Sequence, residues 1–356
     1  MRTLLLIAVA LLLVGCASGF RRETIPDLRN IDIGLRGELR AHVVAEGLCN
    51  PSHVSFNPNG GALTICDSGN GRMLLVDRTM GELLTGMPTE YWKRISITEN
   101  FYKVGPLFAL WLDAENFAVG DGGQVDGKET VAFFRYAGPK ATSPPALHGR
   151  TNALPPNSDP PMPTDPGEGN FVGPVLAPDG NTIYACSHGN DEKSWIVKID
   201  VKARTLAPLF SSDEQGIKTN APMQCLLVRD NLLILYAGAG GVEEGMVVEY
   251  DLKTYKVVDQ WRLPGLIDPM GIAPIPGVVD EYIVTDNNWD LTSVKNGKLA
   301  RVRLLPRRGA EVEIIADAVK GPVYCAFGPD RRLYVTCLGE MYDRDKGLVI
   351  AIGGIK

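Results

Sequence analysis

One pattern of apolar and polar positions recurs six times along the chain. Each copy opens with a short apolar strand, usually led by Pro or Gly, and passes through a turn rich in Asp, Asn, Gly and Pro into a second strand. A polar loop then leads into a third strand. The openings are 55, 65, 51, 47 and 53 residues apart and fall at Pro51, Pro106, Phe171, Pro222, Pro269 and Pro322. Such intervals are typical of four-stranded blades with loops of varying length, so the pattern predicts an all-β, six-bladed β-propeller.

The two ends of this array predict how the ring closes. Residues 37–45 form an apolar segment ahead of the first repeat, and residues 347–354 have the pattern of a third strand in the sixth repeat. The sixth repeat lacks a fourth strand of its own, so we expect the N-terminal segment to complete the last blade. This pairing would remove the sheet edge that an open array leaves unpaired. The predicted propeller covers residues 37–356.

Two insertions interrupt the repeats, at residues 81–103 and 142–169. The second contains eight prolines between Pro144 and Pro166. Because proline cannot donate a backbone hydrogen bond to a sheet, we expect this Pro-rich insertion to be a loop. The insertion is either a solvent-exposed loop without a function of its own, or a functional element such as a lid or a partner-binding arm.

The first residues of the chain predict export. Arg2 precedes an apolar run from Leu4 to Val14, which is short for a membrane span but suits a signal peptide. The run ends in the letters LVGC, which resemble the bacterial lipobox and place the modified cysteine at Cys16. The resemblance implies a signal peptide over residues 1–15 and a lipidated tether over residues 16–36.

Acylation of Cys16 would make the membrane a partner of the protein through its lipid alone. The residue after the cysteine is Ala17 rather than Asp. By resemblance to the sorting rules of Gram-negative lipoproteins, Ala17 favours the periplasmic face of the outer membrane. We therefore expect a protein of the cell envelope.

A resemblance to a known family lies in the first repeat. The segment CDSGNGRMLLVD, residues 66–77, resembles the centre of an NHL repeat, with an aspartate, a polar turn, an arginine and an apolar strand. The other five repeats resemble it only in outline. The chain is also distantly similar to the gluconolactonase and regucalcin-like six-bladed propellers. Those proteins place Glu, Asn, Asn and Asp at the channel position after the opening residue, where they hold one divalent cation.

The corresponding channel positions of this chain carry a different set of side chains, without a carboxylate, Asn or His. They are Ser52, Leu107, Val172, Met223, Met270 and Val323. A hard divalent cation needs several oxygen ligands, so we expect neither a metal nor another cofactor here. An error of one residue in the alignment would instead bring His53, Gln224, Tyr324 or Asp268 to the channel.

Loops that follow the second strands share one mouth of the propeller with these positions. The candidate ligand-binding mouth therefore consists of His53, Asp121, His188, Gln224, Asp268, Asn287, Trp289 and Tyr324. The acidic side chains of these turns could attract a cation or a basic partner. Alternatively, Asp is common there only because its side chain hydrogen-bonds the backbone of a turn. Trp289 would either anchor a partner or pack on the next blade. Residues 286–290 spell D-x-N-x-D, but Leu291 and Gly297 do not continue a calcium loop.

Six cysteines follow Cys16, an even number that permits disulfides in an oxidising compartment. None lies in a C-x-x-C pair, which disfavours a zinc knuckle or a redox dithiol. The expected disulfide pairs Cys49 with Cys66, because both should lie at the mouth end of the first blade.

Charge narrows the possible functions. The 356 residues include 36 Lys and Arg against 42 Asp and Glu, a net charge of −6, so the chain lacks the basic surface of a nucleic-acid-binding protein. A rigid ring that displays loops suits a non-catalytic module that binds a protein or a small molecule, or a scaffold. The alternative is a gluconolactonase-like hydrolase or an NHL-type lyase acting on a small exported substrate.

Overall fold

The structure is a computed structural model. The residues that it describes are 23–24, 29–94, 100–138, 143–156, 167, 169–187, 194–290, 293–340, 342 and 345–356. Cys16, the signal peptide, most of the tether, His188 and much of the Pro-rich insertion lie outside these residues. No helix in the described part of the chain is long and apolar enough to cross a membrane.

The chain folds into a six-bladed β-propeller, as its repeats predict. Two N-terminal strands precede the first blade: β1 (Glu23–Thr24) and β2 (Arg40–Leu48). Blade 1 contains β3 (Pro51–Phe56), β4 (Leu63–Asp67), β5 (Arg72–Val76) and β6 (Thr79–Leu84), and β1 pairs with the outer edge of β6. A separate hairpin follows, built from β7 (Glu90–Arg94) and β8 (Asn100–Val104).

Blades 2 to 4 follow in order along the chain. Blade 2 contains β9 (Pro106–Trp111), β10 (Asn116–Asp121), β11 (Val131–Arg135) and β12 (Ala146–Arg150). Blade 3 contains β13 (Phe171–Leu176), β14 (Thr182–Ser187), β15 (Trp195–Asp200) and β16 (Thr205–Ser211). Blade 4 contains β17 (Pro222–Val228), β18 (Asn231–Tyr236), β19 (Met246–Asp251) and β20 (Val257–Arg262).

Blade 5 contains β21 (Pro269–Pro274), β22 (Glu281–Asp286), β23 (Asn296–Leu305) and β24 (Gly309–Lys320). Blade 6 contains β25 (Pro322–Phe327), β26 (Leu333–Cys337) and β27 (Gly347–Gly353) from the end of the chain. Its fourth strand is β2, which pairs antiparallel with β27 so that Arg40 lies opposite Gly353. Two short 3-10 turns, Ser68–Asn70 and Asp213–Gln215, follow β4 and β16.

Each of the six predicted openings is the first residue of an innermost strand. Proline suits this position because the first residue of a strand can lack a backbone donor. The second strands are buried on both faces, since each blade packs between two neighbours, and they therefore read as continuous apolar runs. Outermost strands such as β12 and β20 are mostly exposed, which is why their pattern is weak.

The expectation that the whole Pro-rich insertion is a loop is wrong at one place. Residues Ala146–Arg150 form β12, the outer strand of blade 2, which pairs with β11. These five residues contain no proline, and the flanking prolines bound the strand rather than interrupt it. An edge strand tolerates such neighbours because only one of its sides must donate to the sheet.

Candidate functional site

A small cavity lies on the propeller axis, and all six predicted channel positions line it. Its volume is about 50 Å³. The remaining wall residues are His53, Tyr102, Val104, Asn170, Gly173 and Tyr324. Of the predicted mouth residues, His53 and Tyr324 therefore reach the cavity, whereas Asp121, Gln224, Asp268, Asn287 and Trp289 do not line it.

Every innermost strand has a bulge near its start, and in most blades this bulge places the channel side chain. In blade 4, Pro222 pairs with Tyr236 and Gln224 pairs with Leu235, which leaves Met223 without a partner residue. The same slip leaves out Met270 in blade 5 and Ser52 in blade 1. A bulge bends the strand and redirects the extra side chain. In five blades the irregularity therefore includes the second residue of the opening, whereas in blade 3 Val172 pairs with Cys186 and the extra residue lies at Gly173–Pro174.

The β7–β8 hairpin covers one end of this cavity. Its last strand contributes Tyr102 and Val104 to the wall, and both side chains are buried. The carbonyl oxygen of Lys103 accepts a hydrogen bond from Asn50 Nδ2 at 2.9 Å, which ties the hairpin to the first blade. The backbone of Tyr102 has a φ of 61°, a left-handed conformation that is costly for a residue with a side chain. The sequence marked residues 81–103 only as an insertion and did not indicate this position.

Three aromatic rings form the cap above the cavity, and we call them the aromatic cap: Tyr102, Trp289 and Tyr342. The ring of Tyr102 meets those of Trp289 and Tyr342 edge-on, with centroids 5.0 and 5.6 Å away. The Trp289 and Tyr342 rings lie 5.4 Å apart. Trp289 is thus half-buried in this cluster. Of the two roles that the sequence left open, this position agrees with packing inside the protein rather than with an exposed anchor for a partner.

Asp268 positions Trp289 from below. Its carboxylate accepts hydrogen bonds from the backbone N–H groups of Trp289 and Gly241. Burial raises the pKa of Asp268 to about 6, and the neighbouring charge of Asp286 adds to this effect. Asp286 in turn accepts the N–H groups of Ile267 and Asp268. The two carboxylates therefore organise the mouth loops rather than face a ligand.

Three further mouth candidates also bridge parts of the backbone. Gln224 Oε1 accepts a hydrogen bond from the N–H of Ile272 at 2.8 Å, which joins blade 4 to blade 5. Asn287 Nδ2 donates to the carbonyl oxygen of Pro322 at 3.1 Å, which joins blade 5 to blade 6. Asp121 accepts the N–H of Gly123 within its own turn. Backbone contacts within turns and between blades thus account for four of the predicted mouth residues, all of them buried: Asp121, Gln224, Asp268 and Asn287.

His53 is the buried titratable group of the cavity wall. The residue is 2% exposed, and its ring packs against that of Tyr324 at a tilt of 34°, with ring centroids 4.0 Å apart. Nδ1 accepts the N–H of Ala109 at 3.5 Å, and Nε2 has no hydrogen-bond partner among the described residues. Burial lowers the pKa of His53 to about 3, so the imidazole is neutral at ordinary pH.

The expected Cys49–Cys66 bond is not formed in the structure. The Cys49 sulfur lies against Gly69, whereas Cys66 points into the apolar contact between blades 1 and 2. A closer pair joins two other blades: the sulfurs of Cys186 and Cys225 are 3.6 Å apart in the core between blades 3 and 4. These strands lie far apart in sequence, so the repeat pattern did not identify the pair.

The described residues offer no obvious metal centre. Among them, no group of three or more His, Cys, Asp or Glu side chains is placed to hold an ion. The cavity wall itself supplies one imidazole and no carboxylate. The expectation that the channel binds no metal remains a prediction.

Comparison with known proteins gives the fold. No family model matches the chain, and no curated protein matches it in sequence. A glucose dehydrogenase structure is similar at 15% identity and a TM-score of 0.57, over 88% of this chain and 99% of that one. A gluconolactonase from Xanthomonas campestris is similar at 11% identity and a TM-score of 0.52, over 94% and 98%. A luciferin-regenerating enzyme is similar at 12% identity and a TM-score of 0.55, over 88% and 95%.

Proposed function

We propose that the protein is an exported, lipid-anchored propeller that binds a small, mainly apolar group in the axial cavity and does not transform it. The observation that carries this proposal is the wall of the cavity. At the six channel positions, the blades supply three aliphatic side chains, two thioethers and one hydroxyl. Such a surface gains free energy by excluding water from an apolar group.

The size of the cavity sets the expected affinity. A volume of about 50 Å³ accommodates a group of only a few heavy atoms while Tyr102 is in place. Burying roughly 100 Å² of apolar area contributes about 2.5 kcal/mol before the cost of association. That gain by itself corresponds to a dissociation constant of about 15 mM, so we expect binding of small probes that is no tighter than roughly 10 mM. Met223 and Met270 would adapt their flexible side chains to the bound group.

The direct test uses xenon, an apolar atom that enters apolar protein cavities. In protein labelled at the methionine methyl groups, xenon is expected to shift the signals of Met223 and Met270, which Met→Leu variants assign. The variant Val323→Phe fills the cavity and should abolish the shifts. The matched control Val279→Phe adds the same ring at an exposed residue and should preserve them. Unshifted methionine signals in the wild-type protein would exclude the proposed site.

The second candidate is a hydrolase or lyase, for which the observation is the imidazole of His53 in the cavity wall. The fold likeness to a gluconolactonase points to lactone hydrolysis as the reaction to test. A general base works best when its pKa lies near the operating pH, and the pKa of His53 is about 3. We therefore favour binding. Turnover of a lactone or ester that is lost in His53→Phe would reverse this preference.

The proposed anchoring has its own test. The variant Cys16→Ser should appear in the soluble fraction of an exporting bacterium, because the lipid is the proposed attachment. The wild-type protein should stay with the outer membrane after a high-salt wash. Membrane association of the variant under the same wash would contradict a lipid anchor.

A further inference from the structure

The contact between blades 3 and 4 contains two cysteines whose sulfur atoms touch. Cys186 lies on β14 and Cys225 lies on β17, and their Sγ atoms are 3.6 Å apart. Both side chains are fully buried among apolar residues. The sulfurs of a disulfide are about 2 Å apart, so a movement of about 0.8 Å by each sulfur brings this pair to bonding distance.

The six contacts between neighbouring blades differ at these two positions. Cys186 is the second-last residue of a second strand, and Cys225 is the fourth residue of the next innermost strand. The corresponding pair between blades 1 and 2 is Cys66 and Ala109, which pack in one apolar cluster. All twelve positions lie in described strands, and only the contact between blades 3 and 4 has cysteine at both. A buried cysteine usually packs as a small apolar residue, whereas here a second sulfur lies within reach.

We propose that Cys186 and Cys225 form a disulfide that joins blade 3 to blade 4 and that closes while the chain folds. The oxidant is itself a disulfide, either that of an oxidoreductase in an oxidising compartment or oxidised glutathione in vitro. The thiolate of one cysteine attacks a sulfur of the oxidant, forms a mixed disulfide and releases one thiolate. The thiolate of the other cysteine then attacks the protein sulfur of the mixed disulfide and releases the second thiolate. The two protein thiols thus lose two protons and two electrons, and the oxidant becomes two thiols.

Burial determines when this bond can form. Thiol–disulfide exchange requires a thiolate that the oxidant can reach. In the folded propeller neither cysteine is accessible, and burial, together with the contact to Cys225, raises the pKa of the Cys186 thiol. The exchange therefore precedes the packing of blade 3 on blade 4, and the packed blades then shield the bond from reductants.

Peptide mapping identifies the bond. The full-length protein is purified in detergent from an exporting bacterium, alkylated with N-ethylmaleimide in urea and digested without reductant. Mass spectrometry should find the Cys186 and Cys225 peptides linked to each other, with a mass that lacks the two thiol hydrogens. Cys66 should be alkylated and serves as the internal control.

A refolding experiment separates the geometry of the pair from the compartment. The same chain, reduced in urea, is diluted into buffer that contains oxidised glutathione and is mapped again. The Cys186 and Cys225 peptides should again be linked. A bond that forms here and is absent from the cell-derived protein would support the pair and count against export. Its absence from both samples, or a link from either cysteine to a third one, would overturn the inference.

Reduction measures how well the blades shield the bond. Dithiothreitol should reduce the bond at least about 10-fold more slowly in the native protein than in urea, because the reductant must wait for local opening of the fold. Equal rates in the two conditions would contradict a bond that is sealed by the packing of the blades.

Thermal unfolding with and without dithiothreitol supplies a matched control. The two cysteines are 39 positions apart, and a disulfide that closes such a loop should raise Tm by about 4–8 °C in a protein of this size. The wild type and Cys66→Ala should both lose this increment in the reductant, whereas Cys225→Ala should unfold at the same temperature in both buffers. Comparing the two buffers within each variant cancels the loss of packing that the substitution causes. A Cys225→Ala protein as sensitive to the reductant as the wild type would assign the effect to another bond and overturn the inference.

Discussion

Replacing Tyr102 by alanine tests whether the β7–β8 hairpin closes the axial cavity. Tyr102 is 5% exposed, and its ring contacts Trp289 and Tyr342 edge-on. Truncating a buried large aromatic side chain to alanine costs about 3–5 kcal/mol. Tyr102 lies at the mouth of the propeller, where neighbouring side chains can partly fill the space, so we expect about 3 kcal/mol.

Thermal unfolding measures this effect. In a domain of this size, 1 kcal/mol corresponds to about 2 °C in Tm, so Tyr102→Ala should unfold about 6 °C earlier than the wild type. Tyr91→Ala is the matched control, because Tyr91 lies on the other strand of the same hairpin and is 38% exposed. Its effect should stay within about 0.5 kcal/mol.

Ligand size provides a second measurement on the same variant. Benzene requires a cavity of roughly 150 Å³, whereas the closed cavity measures about 50 Å³. Benzene should therefore shift the Met223 and Met270 methyl signals in Tyr102→Ala at a concentration that leaves the wild type unchanged. Equal Tm values for Tyr102→Ala and Tyr91→Ala, with benzene excluded from both, would refute the role of Tyr102 as a cap.

Three further predictions concern the rest of the molecule. The pKa of Asp268 is about 6, above the unfolded value of about 4, so its stabilising contribution is complete below pH 4 and is lost as the pH rises through 6. Tm measured from pH 4 to 7 should thus decline less in Asp268→Asn, and equal slopes would contradict this. Deleting residues 37–47 removes most of β2 and should lower Tm and cause aggregation, because β27 loses its outer partner. A monodisperse variant with unchanged Tm would contradict the closure of the ring by β2. Thiol counting on denatured, unreduced periplasmic protein should give fewer than six free thiols. We expect Cys186 and Cys225 to be the bonded pair, because their sulfurs are adjacent. Six free thiols would count against export into an oxidising compartment.

The sequence by itself determined the repeating architecture and the residues on the axis. The second strand of each blade is buried on both faces, so its apolar run is visible without any knowledge of its neighbours. The Pro-led openings coincide with the starts of five innermost strands, and Phe171 starts the sixth. The second residue of every innermost strand lines the cavity, so counting one residue onward from each opening was enough to find side chains such as Met223 and Met270.

Only the tertiary structure decided how the cavity is covered and which polar groups are already hydrogen-bonded. Tyr102, Trp289 and Tyr342 come from distant segments, and a one-dimensional pattern contains no information about which loops meet across a mouth. Asp268 resembled a ligand group in sequence, yet its oxygens are occupied by backbone N–H groups. His53 is different because the folded wall satisfies Nδ1 and leaves Nε2 unpaired. Hydrogen-bond satisfaction depends on all the neighbours brought together by folding, and so it could be read only from their positions in space.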